Sequence, residues 1–153
     1  MAWCDGETLH LAPKLGVLIC AAVAVSGAAP GADLEVSLAG LRNMRGTVHL
    51  CMTKNPAHFP NCGDDPAAVK RSVAAAGASA IGISGIVAGS YALSVIHDEN
   101  RNGKLDTFLG VPREGFGFSR NPVIRFGPPR FAQVRFDARS GMSRQSVRMQ
   151  YLL

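Results

Sequence analysis

Short apolar stretches with a period of two, separated by glycine, proline, asparagine and aspartate, govern what this 153-residue chain can fold into. Leu34, Val36 and Leu38 alternate with Glu35 and Ser37, and Val48, Leu50 and Met52 alternate with Thr47, His49 and Cys51. Successive side chains of a strand point to opposite faces, so each pattern describes a strand with one face in a core and the other towards solvent. Asn43-Met44-Arg45-Gly46 supplies the turn between these two. Tyr91, Leu93 and Val95 form one face of a further strand that ends at His97. Near the C-terminus Ala132, Val134 and Phe136 are expected to face inward against Gln133, Arg135 and Asp137, and Val147, Met149 and Tyr151 against Arg148 and Gln150. Val73 to Ile83 reads as one or two strands interrupted by Gly77 and Gly82, and Ser84 to Ser90 as a turn. Asn55 to Pro66 reads as a loop, with Asp65-Pro66 expected to start a short helical turn through Val69. About seven strands, no long helix and no internal repeat predict an all-β fold, an antiparallel β-sandwich of immunoglobulin-like kind.

The first 28 residues do not fit that pattern. Leu15 to Val25 is an uncharged apolar run, too short to span a bilayer comfortably, and the small residues Ser26-Gly27-Ala28-Ala29 follow it. This is the layout of a secretory leader, with cleavage expected after Ala28 and one domain over residues 29–153. Its first fourteen residues are atypical, carrying Lys14 but also Asp5 and Glu7, which leaves an uncleaved anchor or a later start as the alternatives. Export predicts a periplasmic or secreted bacterial protein, with no transmembrane segment in the mature chain. Two of the four cysteines, Cys4 and Cys20, fall in the leader, and the mature chain keeps Cys51 and Cys62. In an oxidising compartment that pair is most simply a disulfide, contributing about 2–3 kcal/mol across so short a loop. The alternative is a metal site, or a metal-dependent enzyme, built from His49, His58 and the Cys51/Cys62 segment.

Without residues 1–28 the chain keeps 15 basic and 9 acidic residues, a net charge of +6, and nine arginines lie from Arg101 onward. No recognition-helix, zinc-finger or aromatic-interleaved pattern accompanies that charge, so nucleic acid is not an expected partner. Outside the cytoplasm the charge fits an anionic envelope or glycan ligand, or an unidentified protein, while a solvated sheet face explains it without any partner.

The segment His97-Asp98-Glu99-Asn100-Arg101-Asn102-Gly103-Lys104-Leu105-Asp106 places hard oxygen donors at alternate positions around a glycine. With Asp98 as position 1, side-chain oxygens fall at Asp98, Asn100, Asn102 and Asp106, glycine at position 6 and the Lys104 carbonyl at position 7, the spacing of a calcium loop. Leu109 stands where an EF-hand needs its bidentate glutamate, so a complete EF-hand is excluded. The remaining oxygens would come from carbonyls, water, Glu99 or a distant group such as Glu114, and with so few charges the affinity would be weak, about 10⁻⁴–10⁻³ M. The same residues also make a metal-free turn, because Asx side chains bond their own backbone and glycine supplies positive φ.

Residues 108 to 130 are rich in glycine and proline and too long for a simple connection. Within them Gly115-Phe116-Gly117-Phe118 sits between Arg113 and Arg120. These four side chains, Arg113, Phe116, Phe118 and Arg120, are either a ligand-binding surface or, the favoured reading, a plug in which the rings fold over the open end of the sandwich. Hydrolytic signatures are not evident: there is no Gly-x-Ser-x-Gly, His-Glu-x-x-His or Gly-x-x-x-x-Gly-Lys. His97, a lone strand histidine, reads as structural.

Taken together, Gly89-Ser90-Tyr91, His97 to Asn100, Asn102 to Asp106, Leu109 to Pro112 and Glu114 to Ser119 resemble the bacterial exported family called domain of unknown function 2141. The resemblance covers Leu34 to Leu152 and implies an exported β-sandwich similar to transthyretin-like or carboxypeptidase-regulatory-like modules, without implying an activity. The chain departs from the family at Arg101, where a smaller residue is more usual, and in a shorter link between Asp106 and Phe108. The expectation is a non-enzymatic binding or envelope-assembly module, with calcium as the one candidate cofactor.

Overall fold

The structure, a computed structural model, describes residues 31–153. The leader, Cys4 and Cys20 lie outside the described residues. The strands are β1 Ala32–Ala39, β2 Thr47–Thr53, β3 Val69–Ala74, β4 Ala80–Ile86, β5 Gly89–Asp98, β6 Thr107–Phe108, β7 Val111–Pro112, β8 Gly115–Phe118, β9 Phe136–Ala138 and β10 Gly141–Arg148, with one short helix, α1, at Phe131–Val134. They form a three-stranded sheet in the order β10-β1-β4 and a five-stranded sheet, β3-β2-β5-β8 with β9 on β5. The apolar faces read from the alternation meet between the sheets: Leu34, Val36, Val48, Leu50, Leu93, Val95 and Val147 belong to one buried cluster, joined by Ile81 and Ile83 of β4. The all-β sandwich expected from the sequence is present.

One pairing departs from antiparallel. Strand β10 runs parallel to β1, from Ala32 opposite Gly141 to Ala39 opposite Arg148. A parallel neighbour cannot be reached by a tight hairpin, and β10 comes instead from β9, which belongs to the opposite sheet. Past Arg148 the chain changes sheets again: Gln150 and Phe116 exchange backbone bonds of 3.0 and 2.7 Å, which joins the two sheets along one side. That join explains the glycines of β8. A Cβ at Gly117 would lie 2.6 Å from Val147 Cγ1, and one at Gly115 would lie 2.5 Å from the Tyr151 ring, so the inner face of β8 has room for backbone only.

Phe116 and Phe118 take the other face. With Ala92 and Val134 they form a second buried cluster, against which Phe59, Leu105, Ile124 and Phe131 pack. Strand β5 is therefore covered on both sides, and Tyr91 through Val95 are all buried.

Several local expectations are corrected. Asp65-Pro66 starts no helix: Asp65 Oδ1 accepts from Ala67 N at 2.9 Å, an Asx turn that satisfies the backbone locally and leads directly into β3. The supposed turn Ser84–Ser90 shrinks to Val87-Ala88 because β4 continues to Ile86 and β5 starts at Gly89. Ala132 and Gln133 lie in α1 rather than a strand, and Ala132 is exposed. The Gln133 side chain accepts from Arg130 N at 2.7 Å while Gln133 N donates to Arg130 O, which closes a helical turn after Pro128-Pro129. The first half of the long segment after Thr107 carries the β6–β7 hairpin and β8, and residues 119–130 form no strand or helix.

Candidate functional site

Strand β5 delivers Asp98 to the end of the sandwich, where its side chain is 1% exposed. The alternating Asx residues then fold the chain back on itself. Asp98 Oδ1 accepts from Asn102 N at 3.1 Å and Oδ2 from Gly103 N at 2.7 Å. Asn100 Oδ1 accepts from Asn102 N, and Asn102 Oδ1 from Lys104 N. The free amide groups of Asn100 and Asn102 both donate to the Asp106 carboxylate, at 2.7 and 2.9 Å. Four of the five residues expected at an ion, Asp98, Asn100, Asn102 and Asp106, are thus joined in one hydrogen-bonded loop, and Lys104 contributes its backbone to the same turn.

Contacts from elsewhere hold this loop in place. Glu114, named above as a donor to an ion, instead accepts from both ends of the loop: Glu99 N to Oε1 at 2.9 Å and Asp106 N to Oε2 at 3.0 Å. Glu99 turns away from the loop to Arg42 Nε at 2.7 Å and Asn43 Nδ2 at 2.7 Å. On its other side the loop rests on Gly46, whose Cβ, were there one, would lie 2.0 Å from Asp98 O and 2.6 Å from Glu99 Cα. Only glycine permits that approach.

His49 Nε2 lies 3.2 Å from Asp98 Oδ2, and its Nδ1 lies 2.8 Å from Ser72 Oγ on the adjacent β3. Since a carboxylate can only accept, Nε2 carries the proton, and in the neutral ring Nδ1 accepts from the serine. Hydroxyl, imidazole and carboxylate in that order are the elements of a nucleophile relay. Here the hydroxyl stands exposed on edge strand β3, and His49 bridges it to Asp98. A cleft of about 460 Å³ lies elsewhere, lined by Pro56, Phe59, Pro60 and residues 128–132, with Arg130 its one charged side chain.

Burial pushes the Asp98 carboxyl up, but the Gly103 N–H, the His49 ring and the N–H groups of Asn102 and Arg101 outweigh it and hold the group below the usual aspartate range. Glu99 is also held low: Asn43 and Arg42 overcome its burial. The amides of Asn102 and Asn100 lower Asp106. All three carboxylates of the loop are therefore stabilised as anions.

His97 is fully buried and structural, as the sequence indicated. Its Nε2 meets Arg45 O at 2.7 Å and its Nδ1 meets Tyr151 Oη at 2.7 Å. A carbonyl must accept, so the proton sits on Nε2 and the tyrosine hydroxyl donates to Nδ1. Arg42 stacks over the Tyr151 ring at 4.6 Å and reaches Leu153 O and Arg113 O. The sequence pattern placed Asn43 only in a turn and Tyr151 only on a strand face, and gave Ser72 and Arg42 no role; their partners His49, His97 and Glu99 are distant along the chain.

The other expected residues separate. Cys51 and Cys62 form the disulfide, with Cα atoms 6.1 Å apart, so their sulfurs bond to each other and not to a metal. His58 lies in a 3-10 turn, Pro56–His58, while His49 is on β2. Among the described residues no three His, Cys, Asp or Glu side chains are grouped to hold a metal ion, and His49, His58 and the cysteines do not converge on one centre. Phe116 and Phe118 are 5% and 6% exposed and fill the second cluster on the outer face of β5, not the open end of the sandwich, so they offer a ligand little surface. Arg113 and Arg120 remain exposed. Among the described residues no helix is long and apolar enough to cross a membrane.

Comparison with curated proteins and with solved structures finds no match to this chain. A family model described as an uncharacterized protein conserved in bacteria (DUF2141) matches residues 36–146, a span that includes most of both sheets, the disulfide, the Asx loop and Glu114. The chain therefore belongs to this bacterial family, DUF2141.

Proposed function

We propose that the protein is an exported, non-catalytic β-sandwich module for binding or envelope assembly, in which the Asp98–Asp106 loop takes up calcium weakly. The observation that carries the calcium reading is convergence: the amides of Asn100 and Asn102 reach the same Asp106 carboxylate at 2.7 and 2.9 Å. Turning each amide over would present oxygen where it now presents N–H, alongside the Asp106 carboxylate. Calcium would then replace the amide protons as the partner of Asp106, at the cost of the bonds that Asn100 Oδ1 and Asn102 Oδ1 now accept from Asn102 N and Lys104 N, which fits weak uptake. Export is supported by the leader pattern, with which a disulfide is compatible.

Differential scanning calorimetry tests the ion. At about 10 mM calcium and a Kd near 0.5 mM, binding stabilises by about 1.8 kcal/mol, which raises Tm by several degrees. The rise is expected to vanish with chelator, with magnesium at equal concentration and in Asp106→Ala. An unchanged wild-type Tm in calcium overturns the calcium reading and leaves a metal-free Asx turn.

A further inference from the structure

The end of the sandwich beside this loop carries an apolar projection that the packing does not use. Strands β6 and β7 form a hairpin, with Thr107 opposite Pro112 and Phe108 opposite Val111. Phe108 is 58% exposed, Leu109 88% and Val111 37%. The two residues of the turn have φ of +49° at Leu109 and +79° at Gly110. Asparagine, aspartate or glycine is the ordinary choice for the first of these positions, and a bulky leucine there costs backbone energy. Leu109 recovers nothing from the interior, since it points into water. A strained and solvated leucine at a projecting tip calls for a contact outside the molecule.

The charges around the tip have one sign. Arg101, Lys104 and Arg113 are exposed, while the neighbouring acids Asp98, Glu99 and Glu114 are bonded inward by the contacts described above and Asp106 is engaged by the amides of Asn100 and Asn102. The hairpin base is rigid: Arg113 N donates to Asp106 O at 2.9 Å, and Arg42 ties Arg113 O to the β1–β2 turn at 2.8 Å. That turn adds Met44, 61% exposed, to the same end.

We propose that the β6–β7 hairpin is a membrane-docking tip, which inserts Phe108, Leu109 and Val111 among the headgroups of an anionic lipid bilayer while Arg101, Lys104 and Arg113 meet the phosphates. Three or four apolar side chains on a narrow tip fall far short of the roughly 800 Å² per partner that a stable protein interface buries. They suffice for interfacial insertion when cations assist against a negative surface. The proposal names the partner for the binding-module reading and does not depend on calcium.

The test places a reporter at the tip. In full-length protein carrying Trp3→Phe and Leu109→Trp, the sole tryptophan reports on the hairpin alone, whatever the leader does. With phosphatidylglycerol vesicles in chelator, its emission is expected to shift to the blue and to be quenched by brominated lipid. Apparent affinity should be at least fivefold higher than for phosphatidylcholine vesicles, and should fall at least fivefold when Arg101→Gln and Lys104→Gln are added. Phe108→Asp should abolish the shift with circular dichroism unchanged. By sedimentation, vesicle binding measured above that of Phe108→Asp should also be lost in Leu109→Asn, while its Tm is maintained or raised, because asparagine suits the left-handed position. No shift on phosphatidylglycerol vesicles, with or without calcium, overturns the proposal. A shift combined with a calcium-insensitive Tm overturns the calcium reading alone.

Discussion

Gly46 and Arg101 show how single positions set the loop. Gly46 has φ +78° and carries the Asp98–Glu99 backbone directly on its Cα. Gly46→Ala places a methyl group on a carbonyl oxygen that the β2–β5 ladder holds fixed, and a loss of more than about 3 kcal/mol is expected in urea unfolding. Arg101 is the reverse case, a side chain in a left-handed conformation at φ +64°. A glycine or asparagine would meet less of this backbone cost. Arg101→Gly is expected to gain about 0.5–1 kcal/mol, the left-handed cost relieved less the greater freedom of an unfolded glycine. An unchanged or lower urea midpoint would show that the guanidinium contributes more than its backbone costs.

At the level of elements, the Asx loop and the β6–β7 hairpin behave as one unit because Glu114 holds both loop ends. Its two oxygens each accept a backbone N–H, at 2.9 and 3.0 Å, and the side chain is 5% exposed. Glu114→Gln keeps the shape but turns one acceptor into a donor that faces an N–H. Breaking such a buried, charge-assisted pair costs about 1–3 kcal/mol. Hydrogen exchange at Glu99 and Asp106 should accelerate by more than tenfold, while the core strands β2 and β5 change only with global stability; equal acceleration throughout would mean that Glu114 has no local role. The strands of the core were legible because burial on one face imposes a period of two, and β1, β2 and the inner face of β5 follow it. Strand β8 was not legible as a strand, since its glycines answer to Val147 and Tyr151 and its phenylalanines to a second cluster. Helix α1 broke the expected alternation through a four-residue turn closed by Gln133, which outweighed the pattern locally.

Across the whole molecule, the carboxyls of the Asx loop and Asp65, which bonds Thr53 at the opposite end of β2, set the response to acid. Asp98, Glu99, Asp106 and Asp65 all sit below their ordinary values, 3.8 for aspartate and 4.5 for glutamate. A carboxyl held low in the folded state takes up protons later than its unfolded counterpart, so its contribution is complete above the unfolded value and declines as pH falls through the folded one. Unfolding free energy is therefore expected to be level above about pH 5.5 and to drop steadily below about pH 4.5. Asp98→Asn, if it folds, should flatten that drop; an unaltered acid limb would show that the loop carboxylates do not set it.

By itself the sequence determined the strands with one apolar face, the cysteine pair and the Asx turns, because each depends on a local period or on bonds between residues a few positions apart. The tertiary structure alone decided the parallel β1–β10 pair, the inward use of Glu114, the Ser72–His49–Asp98 contact and the basic, apolar tip. Those depend on partners brought together from distant strands, such as His49 and Asp98, 49 residues apart, and no local periodicity encodes which distant residues will share one end of a sandwich.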